Sequence, residues 1–159
     1  MDIREYLGSI FSTVLAEVIR TVSGFWLAIK PLGHDTAADE EKITSMMRLR
    51  GSINGAVILS AAPSDIKIIC SSMIGVPLEE VTSEDIEDTL RELVNMTAGG
   101  AKLRLSDTDF AFALAPPFIA KEEDLDYIAS MEDQSCTIAL GNESIAITLQ
   151  VAYQEAHGG

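Results

Sequence analysis

The chain has little of the material from which metal centres, disulfide frameworks and nucleophilic sites are built. Only two cysteines, two histidines and one tryptophan occur in its 159 residues. Cys70 and Cys136 show no Cys-x-x-Cys or Cys/His spacing, so both read as buried, reduced thiols. His34 sits in a glycine-flanked loop and His157 in a C-terminal tail. Neither has a converging acid or nucleophile, and both read as solvated. Basic residues are scarce as well. Eleven Lys plus Arg against 25 Asp plus Glu leave a net charge of −14 and a pI near 4.3, which disfavours attraction to DNA, RNA or anionic lipid. The N-terminal stretch MDIREYLGSIFSTVLAEVIR places Asp2, Arg4 and Glu5 where a secretory leader wants a basic flank. No clean apolar run approaches the roughly 18–20 residues that span a bilayer. A soluble, cytoplasmic protein whose partner is another protein or a small ligand is the expectation.

Core material is plentiful. A hydrophobic fraction of 47% and a mean hydropathy of +0.21 suit one domain over residues 1–155 with a short tail at 156–159. No repeat, low-complexity run or linker divides it.

Apolar residues from Ile3 to Val22 fall at three- and four-residue steps, predicting an amphipathic helix ended by Gly24. GFWLAIKP suits a strand and GHDTAADEEK an exposed acidic loop. ITSMMRLRGSINGAVILSA predicts two antiparallel strands joined near Asn54-Gly55. Pro63 and Ser64 open a second helix that Gly75 closes. Thr82 and Ser83 are alternative caps for a third and longest helix with an acidic first turn. TDFAFALAPPFIA reads as a strand interrupted at Pro116-Pro117, KEEDLDY as a loop or short turn, and SCTIAL with ESIAITLQVAY as a terminal hairpin turning tightly at Gly141-Asn142. The predicted fold is α+β: a largely antiparallel sheet packed on one face by three helices.

The third helix carries an anomaly. At 100° per residue, Ile86, Leu90, Leu93, Val94, Thr97, Ala101 and Leu105 share a core face, with Ala101, Leu103 and Leu105 carrying the apolar spacing past the glycines. Asp88, Glu92, Asn95 and Gly99 form a ridge nearly opposite, with Lys102 near its end. Relative to alanine, Asn95 and the pair Gly99-Gly100 cost on the order of 2–3 kcal/mol together, against a domain stability of roughly 5–15 kcal/mol. The glycines read either as a helix cap or as interior positions that let another backbone approach the ridge.

The run ELVNMTAGGAK, from Glu92 to Lys102, preceded by Asp88 and followed by Pro116-Pro117, resembles the signature of the CheC/CheX/FliY chemotaxis phosphatases. The segment LRGSINGAVILS, Leu49 to Ser60, is similar to that family's early strands. CheC and FliY carry two such helices; here Glu17 is followed by Arg20 where a second site requires Asn, so the single-site CheX type is the better likeness. Either Pro116 or Pro117 answers to the family's proline. The resemblance implies hydrolysis of the aspartyl phosphate of a CheY-like receiver domain that brings its own Mg²⁺ and lysine. It also implies that Asn95 positions the attacking water and Glu92 pairs with the partner's lysine, that Asp88, Gly99 and Lys102 serve docking, and that the protein is a homodimer. A noncatalytic adaptor or sensor that binds phosphorylated receivers is the alternative.

Overall fold

The computed structural model describes residues 2–131 and 135–155, so the tail at 156–159, with His157, lies outside the described residues. The first helix, α1, runs Ile3–Ser23; the Asp2 carboxylate accepts from the Arg4 N–H at its start, and Gly24, at φ 81°, ends it in the left-handed region. Strand β1 is Ala28–Lys30, β2 Ile43–Gly51 and β3 Ile53–Ala61. Helix α2 spans Pro63–Ile74 and α3 Ser83–Leu105. The short strands β4, Phe112–Leu114, and β5, Phe118–Ile119, precede helix α4, Glu122–Ser130, and the hairpin of β6, Ser135–Gly141, and β7, Ala146–Glu155. Among the described residues, no helix is long and apolar enough to cross a membrane.

The strands make one antiparallel sheet in the order β1-β6-β7-β3-β2-β4, with β5 also on β2. Alternation sorts each strand onto two faces. Met47 and Leu49 of β2, Val57 and Leu59 of β3, and Ile147, Leu149 and Val151 of β7 join Phe11, Leu15, Ile66, Leu90 and Leu93 in the main core under α1, α2 and α3. Each such side chain contributes about 1.5–3 kcal/mol by leaving water. The α+β class with three helices on one face is what the sequence predicts.

The opposite face differs from that expectation. Met46, Ala56, Ile58 and Ala152 form a second cluster with Ile128 and Met131, and α4 is therefore a helix covering this side where the sequence suggested a loop. The Asp124 carboxylate accepts from the Lys121 N–H at 2.8 Å, and three acidic residues in the first turn meet the positive end of the helix dipole. The first hairpin also turns earlier than predicted. Asn54 and Gly55 lie inside β3, and the reversal falls at Gly51 and Ser52; at φ 151°, a Cβ on Gly51 would lie 2.8 Å from the Ala111 carbonyl oxygen. The β6–β7 connection spans 142–145 rather than a primed turn, Gly141 having no positive φ; the Asn142 side chain accepts from the N–H groups of Ser144 and Ile145 at 2.8 and 2.9 Å. Pro116-Pro117 sits on the sheet edge, where an N–H is not needed. Leu49 faces Leu114 and Ser45 faces Ile119, so the edge carries one residue more than β2 between those pairs, a bulge.

The acidic loop between β1 and β2 is tied to α2 and to the β6–β7 connection. Asp65, 3% exposed, accepts from the Thr36 hydroxyl and from the Ala146 N–H at 3.0 Å. His34 is likewise not free: its Nε2 lies 3.2 Å from the Asn142 carbonyl oxygen, against the bare backbone of Gly141. Ala62 cannot cap α2, and Glu40 does so from the loop, accepting from the Ser64 N–H at 3.0 Å and from the Ser64 hydroxyl. These bonds, the hydroxyl first, hold the Glu40 carboxyl below its ordinary range. The contribution is present at neutral pH and is lost as pH falls through the lowered value. In an NMR titration of the side-chain carboxyls, Glu40 is expected to titrate below the ordinary glutamate range, and Ser64→Ala, which removes the hydroxyl bond, to move it back up toward that range.

Candidate functional site

Helix α3 is set by a reciprocal cap. The Asp85 N–H donates to the Thr82 hydroxyl at 3.1 Å and the Thr82 N–H to the Asp85 carboxylate at 3.0 Å, which settles the N-cap on Thr82. From there the helix runs unbroken to Leu105, so Gly99 and Gly100 are interior positions and not a cap. Their two roles separate in space. A Cβ on Gly100 would fall 2.6 Å from Cγ1 of Val14, so the missing side chain is what lets α3 and α1 pack this closely. A Cβ on Gly99 would meet nothing within 4 Å. Nothing among the described residues requires Gly99 to be glycine.

The inner face is fixed from the sheet as well. Leu90, Leu93, Val94, Ala98, Ala101 and Leu105 are fully buried, and buried Ser45 of β2 donates to the Leu90 carbonyl at 3.0 Å. This bond and the Gly100 contact fix rotation and height of α3, and with them the outward ridge. Asp88, Glu92, Asn95 and Lys102 are all exposed on it and Gly99 is half-buried. Glu92 and Asn95, three residues apart, are neighbours at roughly 5–6 Å between Cβ atoms. Among the described residues, neither makes a side-chain hydrogen bond or ion pair. Asp88 differs: it is engaged by Arg91, one turn on.

One ridge residue escaped the sequence analysis. Leu103, which the apolar spacing assigned to the inner side, is 78% exposed. It stands four residues after Gly99 and eight after Asn95, extending that row. The signal was available in the wheel angle, but the neighbouring Ala101 and Leu105 masked it.

The first helix offers no second copy of this arrangement. Glu17 pairs with Arg104 of α3 at 2.6 Å, and the Arg20 guanidinium lies 3.7 Å from the ring centre of Trp26. Both α1 side chains at the corresponding spacing are occupied within the fold. The α3 ridge thus presents a free carboxylate and a free carboxamide outward, with an open gap at Gly99 and an apolar side chain beyond it. Such a surface can orient water and polar groups only when another molecule is brought against it.

A family model described as "Chemotaxis phosphatase CheX" matches residues 43–140, well over half of the chain. No curated protein matches. Among solved structures, the chemotaxis protein CheX from Vibrio vulnificus superposes with a TM-score of 0.76 at 16% identity, covering 97% of this chain and 100% of that one. A CheC-like superfamily protein from Shewanella sp. PV-4 gives 0.73 at 19% identity, covering 97% and 99%. The CheX-CheY-BeF3-Mg²⁺ complex from Borrelia burgdorferi gives 0.68 at 16% identity, covering 92% and 97%. At these identities the structures establish the shared fold.

The two glycines separate in a stability measurement. Gly99→Ala is expected to raise the unfolding free energy by up to about 1 kcal/mol through helix propensity. Gly100→Ala is expected to lower it by about 1–3 kcal/mol, because stiff Val14 must give way. Chemical denaturation of both variants checks the opposite signs.

Proposed function

The chain belongs to the CheX family of chemotaxis phosphatases, and from that premise we propose that it hydrolyses the aspartyl phosphate of a CheY-like receiver domain. One observation carries the reading. An interior helix glycine that costs about 1 kcal/mol lies one turn from Asn95 with open space where its side chain would be. Clearance for an approaching partner accounts for it. The Borrelia burgdorferi complex, in which a CheX of this fold is combined with CheY, BeF3 and Mg²⁺, supports the choice of partner.

In this reading the receiver supplies the phosphoryl group, its Mg²⁺ and a lysine, and α3 supplies geometry. Phosphoryl transfer to water depends mainly on in-line positioning and charge neutralisation. The Asn95 carboxamide accepts a hydrogen bond from the attacking water through its oxygen and donates through its NH₂, holding that water on the phosphorus axis. A carboxylate at the same place would repel the phosphoryl oxygens; the neutral amide does not. Glu92, a turn earlier and unpaired, forms a charge-assisted hydrogen bond with the partner's lysine and sets the docking register. Asp88 and Lys102 flank the contact; Asp88 must leave Arg91 or share it. Leu103 adds an apolar anchor beyond the Gly99 gap. A homodimer is proposed with it: β1 is a three-residue edge strand beside exposed Trp26, Ile29 and Leu32, a surface suited to a second copy. The site of action is proposed to be the cytoplasm.

Phosphate release from a phosphorylated receiver tests the proposal. Asn95→Ala is expected to reduce the stimulated rate by roughly a hundredfold or more, as loss of one transition-state group does, while the circular dichroism and melting midpoint stay unchanged. An unaltered rate would sink the mechanism. If the protein were an adaptor or sensor, wild type would bind the phosphorylated receiver and leave its lifetime unchanged.

Docking and chemistry separate in a second set of variants. Glu92→Lys and Leu103→Asp are expected to raise KM for the phosphorylated receiver about tenfold or more with kcat less affected, since each removes binding made before the transition state. Leu103→Asp also tests the exposed anchor without touching the core. A Leu103→Asp protein with unchanged KM removes that residue from the interface.

A further inference from the structure

On the sheet face away from α3, the β2–β3 hairpin and α4 flank an open pocket of about 300 Å³ lined by Arg48, Leu49, Arg50, Asn54, Gly55 and Tyr127. Arg48 and Arg50 are two apart on β2 and so project from the same face, about 7 Å from each other along the strand. In a chain with 25 acidic residues against 11 basic ones, two such neighbours would ordinarily find carboxylates. They do not. The ion pairs among the described residues use Arg4, Lys42, Arg91 and Arg104. Arg48 instead lies over Tyr127 of α4, its guanidinium carbon 4.3 Å from the ring centre. The carboxylates one turn earlier on α4, Glu123 and Asp124, pair with neither arginine, and Asp124 is turned to the Lys121 N–H.

Asn54 adds a further donor. The Asn54 side-chain oxygen is occupied by the Gly51 N–H at 3.3 Å, which leaves its NH₂ as the unused end. The contact with Tyr127 restrains one guanidinium from one side and leaves its N–H groups available, an arrangement suited to binding an oxyanion. Like charges on one strand face with no ion-pair partner among the described residues repel each other, and a bound anion relieves that repulsion. The volume is at the lower end of small-molecule sites, so the ligand is compact.

We propose that the pocket formed by Arg48, Arg50, Asn54 and Tyr127 binds a phosphate group, free or carried on a small molecule. The net charge of −14 works against a polyanion and favours a single group recognised by directed donors. The site is separated by the sheet from Glu92 and Asn95 and stands independently of the phosphatase reading.

The test is an NMR titration of the labelled full chain, following the backbone and guanidinium N–H signals. One arm uses inorganic phosphate, one glycerol phosphate, and a control uses sodium chloride at matched ionic strength. Saturable shifts at Arg48, Arg50 and Asn54, with a Kd in the millimolar range or tighter, support the site, and the tighter arm identifies the source of the group. Arg50→Gln, at an exposed position that the core does not use, is expected to weaken the Kd at least about tenfold, the loss of a charge-assisted hydrogen bond. Shifts reproduced by chloride, unchanged in Arg50→Gln, or absent from these residues would overturn the proposal.

Discussion

The approach of α1 to α3 at Val14 and Gly100 is the contact on which the arrangement of the ridge depends. With a side chain at Gly100 the two helices could not lie this close, since its Cβ would fall 2.6 Å from Val14. The same closeness brings Glu17 within reach of Arg104, although a pair this exposed contributes at most about 1 kcal/mol. From the other side, Ser45 of the central sheet holds the Leu90 carbonyl. A helix fixed against both a neighbour and a sheet cannot rotate to hide Glu92 and Asn95. Their exposure follows from the packing of the opposite face.

The division between Gly99 and Gly100 links stability and function. Gly100 is answered by an intramolecular contact and Gly99 by none. A position that lowers helix stability with no structural return belongs to the class of local conflicts that collect at functional sites. The exposed Leu103 beyond it has the same character, being apolar surface where a solvated helix needs none.

Much of this was legible in the sequence because α1, α2 and α3 are long enough for a 3.6-residue period to rise above noise and are bounded by cap residues at predictable places. The ridge from Asp88 to Lys102 follows from the same spacing. What escaped had physical reasons. Helix α4 is polar for most of its length and buries chiefly Ile128, with Met131 at its end, so its periodicity is too short to read. Asn54-Gly55 looks like a turn but lies within β3, where a Cβ on Gly55 would be 1.9 Å from the Ala152 carbonyl oxygen; the glycine answers a neighbouring strand rather than the reversal. The roles of the two α3 glycines could not be separated without knowing where α1 lies. Assignment of the ridge to receiver dephosphorylation came from family resemblance, since the geometry by itself specifies a docking surface and not a substrate.

The outward ridge of α3 is proposed to be the surface that enters the partner. Titration of isotopically labelled protein with an unlabelled CheY-like receiver in its beryllofluoride and Mg²⁺ state tests this directly. The signals of Glu92, Asn95, Gly99 and Leu103 are expected to shift or broaden first and together, with α4 and the far face of the sheet unaffected. Perturbations centred on α4 or the β1 edge, with the α3 ridge unchanged, would contradict it.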